Sequence, residues 1–267
     1  MNPTAIVFPV GCILSCPACS TDGELIIIGV DCAADFKKIG LARATWQKGA
    51  VPRVDMVEAN LSAEAVLKTI TSWAQGKQRV LLALDAPLGW PVGLGDSLHQ
   101  HAAGVSIVLA SDKLFLRETD RYVWDTLGKK PLEVGADRIA RTAAATLKML
   151  DQLRETLAAP LPLAWTARFN DRVACVEVYP AGTLYAMGKK PPPYKKPDQV
   201  YARREILKDL SGEIKLRADP KSLEASADAL DAVICVVAGV DFLSGRCTPP
   251  TDEALAKREG WIWFRRR

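Results

Sequence analysis

Five acids carry the chemistry this sequence offers. Asp31 closes the apolar run Leu25-Ile26-Ile27-Ile28-Gly29-Val30, and Asp85 closes Val80-Leu81-Leu82-Ala83-Leu84. Glu177 lies in a third such run, within Val176-Glu177-Val178-Tyr179-Pro180. Asp228 and Asp231 stand three apart in a helical pattern and so share one helix face. Acids at the carboxyl ends of buried strands stand where open sheets form ligand sites. Gathered in one cleft they repel one another unless cations neutralise them. An all-oxygen donor set favours hard ions, Mg²⁺ or Mn²⁺. One such ion, or two about 4 Å apart, activates water and stabilises the leaving oxygen in phosphodiester hydrolysis. The expected metal ligands are therefore Asp31, Asp85 and Asp231, with Asp228 beside them, and Glu177 is a ligand or general base. Each acid also has a plainer reading. An Asp after a strand is readily a turn or helix-cap residue, Asp228 and Asp231 a solvated face, and Glu177 a structural acid paired with Arg138 or Arg172.

The elements that must position these acids follow from periodicity. The run ending at Asp31 suits a central strand buried on both faces. Residues 39–46 and 51–58 read as short strands punctuated by Gly40, Gly49 and Pro52, which makes three strands of an antiparallel meander. Ser62 caps a helix with Ala65, Val66, Thr69, Ile70 and Trp73 on one face and Gly76 beyond its end. The strand ending at Asp85 comes next. Further helices are expected at residues 96–103, 137–159, 198–210 and 222–243, a third core strand at 172–179, a loop at the proline- and lysine-rich 189–196, and a terminal strand or tail at 261–264. The expected architecture is an α/β mixed sheet flanked by helices, its first three strands antiparallel and its later ones parallel. Residues 24–267 form one domain in this reading, because acids from 31 to 231 need a common cleft; residues 1–23 form an extension.

Composition narrows the functional classes. Hydrophobic residues at 49% and charged residues at 25% are ordinary for a globular chain and exclude intrinsic disorder. No run reaches the roughly 18 apolar residues of a membrane span. The net charge is +4, and one segment accounts for an equal excess. Lys189, Lys190, Lys195, Lys196, Arg203, Arg204 and Lys208 face only Asp198, Glu205 and Asp209, with Tyr194 and Tyr201 interleaved. Such a stretch suits a phosphate backbone and stacked bases, or is a solvated surface. Arg265, Arg266 and Arg267 read as a loose basic tag. His99 and His101 would face one side of a strand, but no third zinc ligand accompanies them, so loop residues is the reading.

Cys12, Cys16 and Cys19 have the C-x3-C-x2-C spacing that holds a four-iron cluster in radical S-adenosylmethionine enzymes. Here the motif precedes the first strand and no repeated strand–helix barrel follows it, so adventitious cysteines on an extension is the plainer reading. An export signal would want a Lys or Arg before the apolar residues 6–10, and none is there. Cys32, Cys175, Cys235 and Cys247 are isolated and read as reduced core thiols, which points to the cytoplasm.

The ordered set of acids resembles the ribonuclease-H-like fold, above all the RuvC-type resolvases, with acids on the first strand, the fourth strand and a late helix. More closely, residues 29–264 resemble domain-of-unknown-function family 429, described as predicted nucleases of the RuvC/YqgF group. The resemblance is carried by Gly29-Val30-Asp31, by Leu84-Asp85-Ala86-Pro87-Leu88-Gly89, by Arg117-x-Thr119-Asp120 and by Glu177-Val178-Tyr179-Pro180. Asp228-Ala229-Leu230-Asp231-Ala232 and Glu259-Gly260-x-Ile262 complete it. It implies a metal-dependent nuclease acting on DNA or RNA, with Arg117 and Asp120 orienting phosphate or else forming an exposed ion pair; that step is fold analogy. Lys195, Lys196, Arg203 and Arg204 are the expected substrate contacts, and a homodimer is compatible with the sequence. Two other classes stay open. One is a catalytically silent nucleic-acid-binding module. The other is an ATP-dependent phosphotransferase of the actin and sugar-kinase group, disfavoured because Cys32-Ala33-Ala34-Asp35 lacks the Gly- and Thr-rich phosphate hairpin and the chain is short for a duplicated fold.

Overall fold

A computed structural model describes residues 23–135 and 137–266. The three amino-terminal cysteines and Arg267 lie outside the described residues. Strands β1 (Leu25–Asp31), β2 (Gly40–Trp46) and β3 (Arg53–Ala59) make the antiparallel meander, β1 and β2 joined through a 3-10 turn at Phe36–Lys38. Helix α1 (Ala63–Trp73) starts where the Ala65 amide donates to Ser62 Oγ. It crosses over to β4 (Val80–Asp85), which runs parallel to β1. Helices α2 (Val92–Leu98), α3 (Ser111–Phe115), α4 (Glu118–Leu127) and α5 (Asp137–Leu157) follow, then β5 (Val173–Glu177), parallel to β4. The remainder comprises α6 (Pro180–Ala186), α7 (Val200–Leu210), the two-residue β6 (Lys215–Leu216), α8 (Pro220–Ala225), α9 (Ala227–Leu243) and α10 (Glu253–Glu259). The sheet order is β5-β4-β1-β2-β3-β6.

Side-chain alternation splits the core into two layers. Leu25, Ile27, Ala42, Leu81, Ala83, Ala174 and Val176 pack under α9, while Ile26, Ile28, Val30, Leu82, Leu84 and Val173 pack against α1 and α5. Helix α9 is apolar almost all round and buried from Ala229 to Leu243, as a helix sandwiched between sheet and outer helices must be. Its backbone lies directly on the sheet at two glycines. A Cβ on Gly29 would fall 2.0 Å from the Ala232 carbonyl oxygen, and one on Gly40 would fall 1.9 Å from that of Asp228. Those two glycines bring the start of α9 down onto the ends of β1 and β2.

Several boundaries differ from the expected ones for local reasons. The helix expected at 222–243 is two helices, because Ser226 is extended (φ −120°, ψ 121°) and its Oγ caps the Ala229 amide of a new helix. The helix expected at 96–103 begins earlier, at Val92 behind Pro91. Short elements with weak periodicity, α3, α4, α6, β6 and α10, were absent from the expectation. Arg265 is no loose tag: it donates to both oxygens of buried Asp241 at 3.0 Å and to Glu213 at 3.0 and 2.7 Å, tying down the carboxyl-terminal segment. Ile262 bridges to Glu177 in parallel register, extending the sheet edge beyond β5.

Candidate carboxylate active site

Asp31 and Asp85 are register partners at the ends of parallel β1 and β4. Both follow the parity of Ile27, Leu81 and Ala83, the positions that face α9. Helix α9 carries Asp228 in its first turn and Asp231 one turn on, fully buried. Asp31 is itself buried, and Cys235 of α9 donates its Sγ proton to the Val30 carbonyl beside it at 3.7 Å. Burial first, then the charges of Asp85 and Asp228, hold the Asp31 carboxyl well above the usual range, although Lys195 pulls it down. Burial likewise raises Asp85 to about 7, against the pull of Lys195 and with help from Glu177. Asp228 is half-buried and raised by desolvation.

Lys195 supplies the positive charge among these acids. Its ammonium is ion-paired with Asp231, and the Tyr194 hydroxyl donates to the other Asp231 oxygen at 2.8 Å. The loop that carries both residues is held by Arg203, which the sequence offered as a phosphate contact. Arg203 is only 1% exposed and donates to the carbonyls of Tyr194 (2.6 Å), Lys196 (2.7 Å), Pro197 (3.1 Å) and Glu224 (2.6 Å). Placed so, Arg203 shapes the proline-rich loop from inside. Arg204 is exposed and pairs with Glu224 at 2.6 Å, while Lys189 pairs with Asp209 and Lys208 with Glu205. Much of the apparent basic stretch is thus neutralised locally; Lys196 is exposed. Tyr194 is buried and Tyr201 exposed, so the two rings do not form a shared stacking surface.

Glu177 sits one residue out of phase with the aspartate pair, since its register partner on β4 is Leu84. Its partner is neither Arg138 nor Arg172; the Arg172 guanidinium instead donates to the Ala74 carbonyl. Arg117 donates to Glu177 Oε1 at 2.7 Å and Oε2 at 3.0 Å, and the Leu88 amide donates to Oε2 at 3.0 Å. The same guanidinium bonds both oxygens of Asp120, at 2.9 and 3.0 Å, and the Glu259 carbonyl at 3.1 Å. Arg117 and Asp120 are fully buried rather than an exposed surface pair. Burial alone would lower the Arg117 pKa, but Glu177 and Asp120 together raise it. Both carboxylate oxygens of Glu177 are engaged, an arrangement that fits the structural alternative. Through Leu88 it fixes the loop leaving Asp85, and the Val178 amide on the Leu84 carbonyl (2.9 Å) fixes the strand end itself.

Glu259, to which the sequence assigned no role beyond the Glu259-Gly260-x-Ile262 motif, has a carboxylate that accepts from the Val92 and Glu118 amides at 2.8 Å each and joins α2 to α4. Gly260 lets it do so: φ is +87°, and a Cβ would fall 2.7 Å from Glu177 Oε2. Lys195 as the counter-cation of Asp231 was signalled only by its place in a charged run. His99 and His101 lie beyond α2, where His101 Nε2 meets the Val105 carbonyl at 2.7 Å.

Asp31, Asp85 and Asp231 offer carboxylate oxygens, the chemistry that suits a hard divalent cation, with the Tyr194 hydroxyl and the Lys195 ammonium beside them. Among the described residues no three His, Cys, Asp or Glu side chains are gathered closely enough to hold an ion unaided, and Asp231 is turned to Lys195.

This mixed α/β sheet, antiparallel in its first strands, parallel in its later ones and flanked by helices, is consistent with a ribonuclease-H-like fold. The chain belongs to the family described as Protein of unknown function (DUF429), whose model matches residues 29–255. No curated protein matches it.

Proposed function

We propose that this protein is a metal-dependent nuclease that hydrolyses phosphodiester bonds in DNA or RNA. The observation that carries the reading is the register pairing of Asp31 with Asp85 beneath an α9 that delivers Asp228 and Asp231. Asp31, Asp85 and Asp231 would hold Mg²⁺ or Mn²⁺, one ion or two, with Asp228 at the rim. When bound, the metal supplies Lewis-acid stabilisation of a developing oxyanion and lowers the pKa of water. The chain's own residues do the rest. Lys195 brings an ammonium to the same acids and, released from Asp231, would meet a substrate phosphate; exposed Lys196 and Arg204 stand near it in sequence. Arg117, Glu177 and Asp120 hold the Asp85 loop in place. Asp31 is buried and Asp85 partly so at the cavity wall; their desolvation makes the deprotonated pair depend on a cation. Buried free cysteines, and the lack among the described residues of a helix long and apolar enough to cross a membrane, are compatible with a cytoplasmic protein, the location we propose.

One observation favours a second reading, a catalytically silent nucleic-acid-binding module: Lys195 neutralises the third carboxylate from within the chain. Branched DNA, single-stranded DNA and RNA incubated with Mg²⁺ or Mn²⁺ decide between them. The nuclease reading expects cleavage that EDTA and Asp31→Asn abolish. Cleavage indifferent to Asp31→Asn would remove the site assignment, and binding without cleavage of any substrate would favour the module.

A further inference from the structure

Asp85 and Asp231 border a cavity of about 370 Å³ whose lining is part charged and part apolar. Its polar lining includes Asp85, Asp231, Lys195 and the Arg117, Asp120 and Glu177 network, and its apolar lining includes Pro87, Pro131, Leu132, Tyr179 and Pro180. The volume lies at the low end of clefts that enclose small ligands, roughly 300–1,000 Å³. That is room for one small ligand. The Tyr179 ring lies flat along α6 because residue 182 is glycine; a Cβ there would fall 2.6 Å from Tyr179 Cδ1. Leu132 stands at the mouth, 68% exposed, an apolar side chain held in water beside an otherwise sheltered apolar wall. Lys129 and Lys130 line the same cavity. Lys130 pairs with Glu133 at 2.7 Å, and Lys129 lies 5.8 Å from the Tyr185 ring centroid.

An aromatic and proline-lined slot bordered by lysines matches a group with a flat apolar face and an attached anion. Enzymes that read a single base take it out of the stack into a pocket of this kind, between aromatic and apolar side chains. We infer that this cavity takes one unstacked nucleobase of the substrate, with its phosphate toward Lys129, Lys195 and the carboxylates. The inference rests on the phosphodiesterase reading for its polynucleotide, and it makes the substrate single-stranded, or locally unpaired, at the cleaved position. Paired bases in a continuous duplex cannot enter such a slot without leaving the stack.

The full chain, with Mg²⁺ present, is titrated calorimetrically with ribo- and deoxyribonucleoside monophosphates and with ribose 5-phosphate; the two sugars separate an RNA from a DNA preference. A nucleoside monophosphate is expected to bind about tenfold or more tightly than ribose 5-phosphate, because only the former offers a base to stack. Leu132→Glu, at an exposed position that leaves the core intact, should weaken that base-dependent part about fivefold or more, as should Tyr179→Ala, whereas Tyr179→Phe should retain it. Equal affinity for ribose 5-phosphate and the nucleotides overturns the inference. Single-stranded oligonucleotides carrying one abasic site supply the second arm, with cleavage expected to drop about tenfold when that site falls at one fixed position next to the cut. Cleavage indifferent to abasic sites everywhere overturns the base pocket and leaves the hydrolytic reading standing. Base-dependent binding without any cleavage keeps the pocket and overturns the hydrolytic reading.

Discussion

Asp31 and Asp85 end two neighbouring parallel strands as direct register partners, side by side beneath the buried start of α9. Two carboxylates so placed cannot both ionise cheaply without a cation, and this sets how the metal-free protein responds to pH. An acid whose folded pKa is raised binds its proton more tightly when folded. Its stabilising contribution is full below the ordinary value of 3.8 and is lost as pH rises through the folded value, about 7 for Asp85. In EDTA, urea unfolding should therefore show this contribution decline between about pH 4 and pH 8. Asp85→Asn should flatten the decline and exceed wild type at the alkaline end by roughly 1–3 kcal/mol. An unchanged slope in the variant would show that Asp85 ionises freely.

Arg117 is the centre of a fully buried charge network with Glu177 and Asp120. Arg117→Leu leaves two carboxylates without their fork and should cost about 3–5 kcal/mol in denaturant titration. Arg117→Lys should recover only part of it, since one ammonium cannot reproduce bonds to both partners. A neutral Arg117→Leu would contradict the network's role in holding the Asp85 loop.

Gly29 meets the Ala232 carbonyl, a backbone atom that cannot rotate away. Gly29→Ala should destabilise by roughly 1–3 kcal/mol or more, because α9 must lift from the sheet, and it should lower divalent-ion affinity with it. Gly95→Ala, with open space around its Cβ, is the control and should be neutral to stabilising by about 0.5–1 kcal/mol. Thermal melts of both variants suffice.

Lys195 is the cation of Asp231 within the chain. Lys195→Met leaves Asp231 buried with the Tyr194 hydroxyl, at a cost of roughly 1–3 kcal/mol in EDTA. Saturating Mn²⁺ should recover most of that loss if the ion takes the place of the ammonium. A loss equal in both conditions would mean that the carboxylates hold no ion.

The central strands were legible because β1, β4 and β5 are apolar runs closed by an acid; Asp31 and Asp85 follow from those runs, and Asp231 from its three-residue spacing to Asp228 on α9. The parts that could not be read depend on long-range contacts. Arg117 and Glu177 are 60 residues apart in sequence, and no local pattern pairs them. Arg203 looks like any surface arginine until four carbonyls of a loop and a neighbouring helix converge on its guanidinium. Arg265 reads as a tail until buried Asp241 is seen to need it. Short helices such as α4 were missed because the capping of α4 lies in the Arg117 and Asp120 interaction itself rather than in a Ser or Thr signature.

The most direct measurement is anomalous diffraction from crystals soaked in Mn²⁺. One or two peaks held by Asp31, Asp85 and Asp231 are expected, with Lys195 displaced from Asp231, and their loss in Asp31→Asn crystals. Density without a peak at those acids, and Lys195 still bonded to Asp231 at saturating Mn²⁺, would contradict the metal-site assignment.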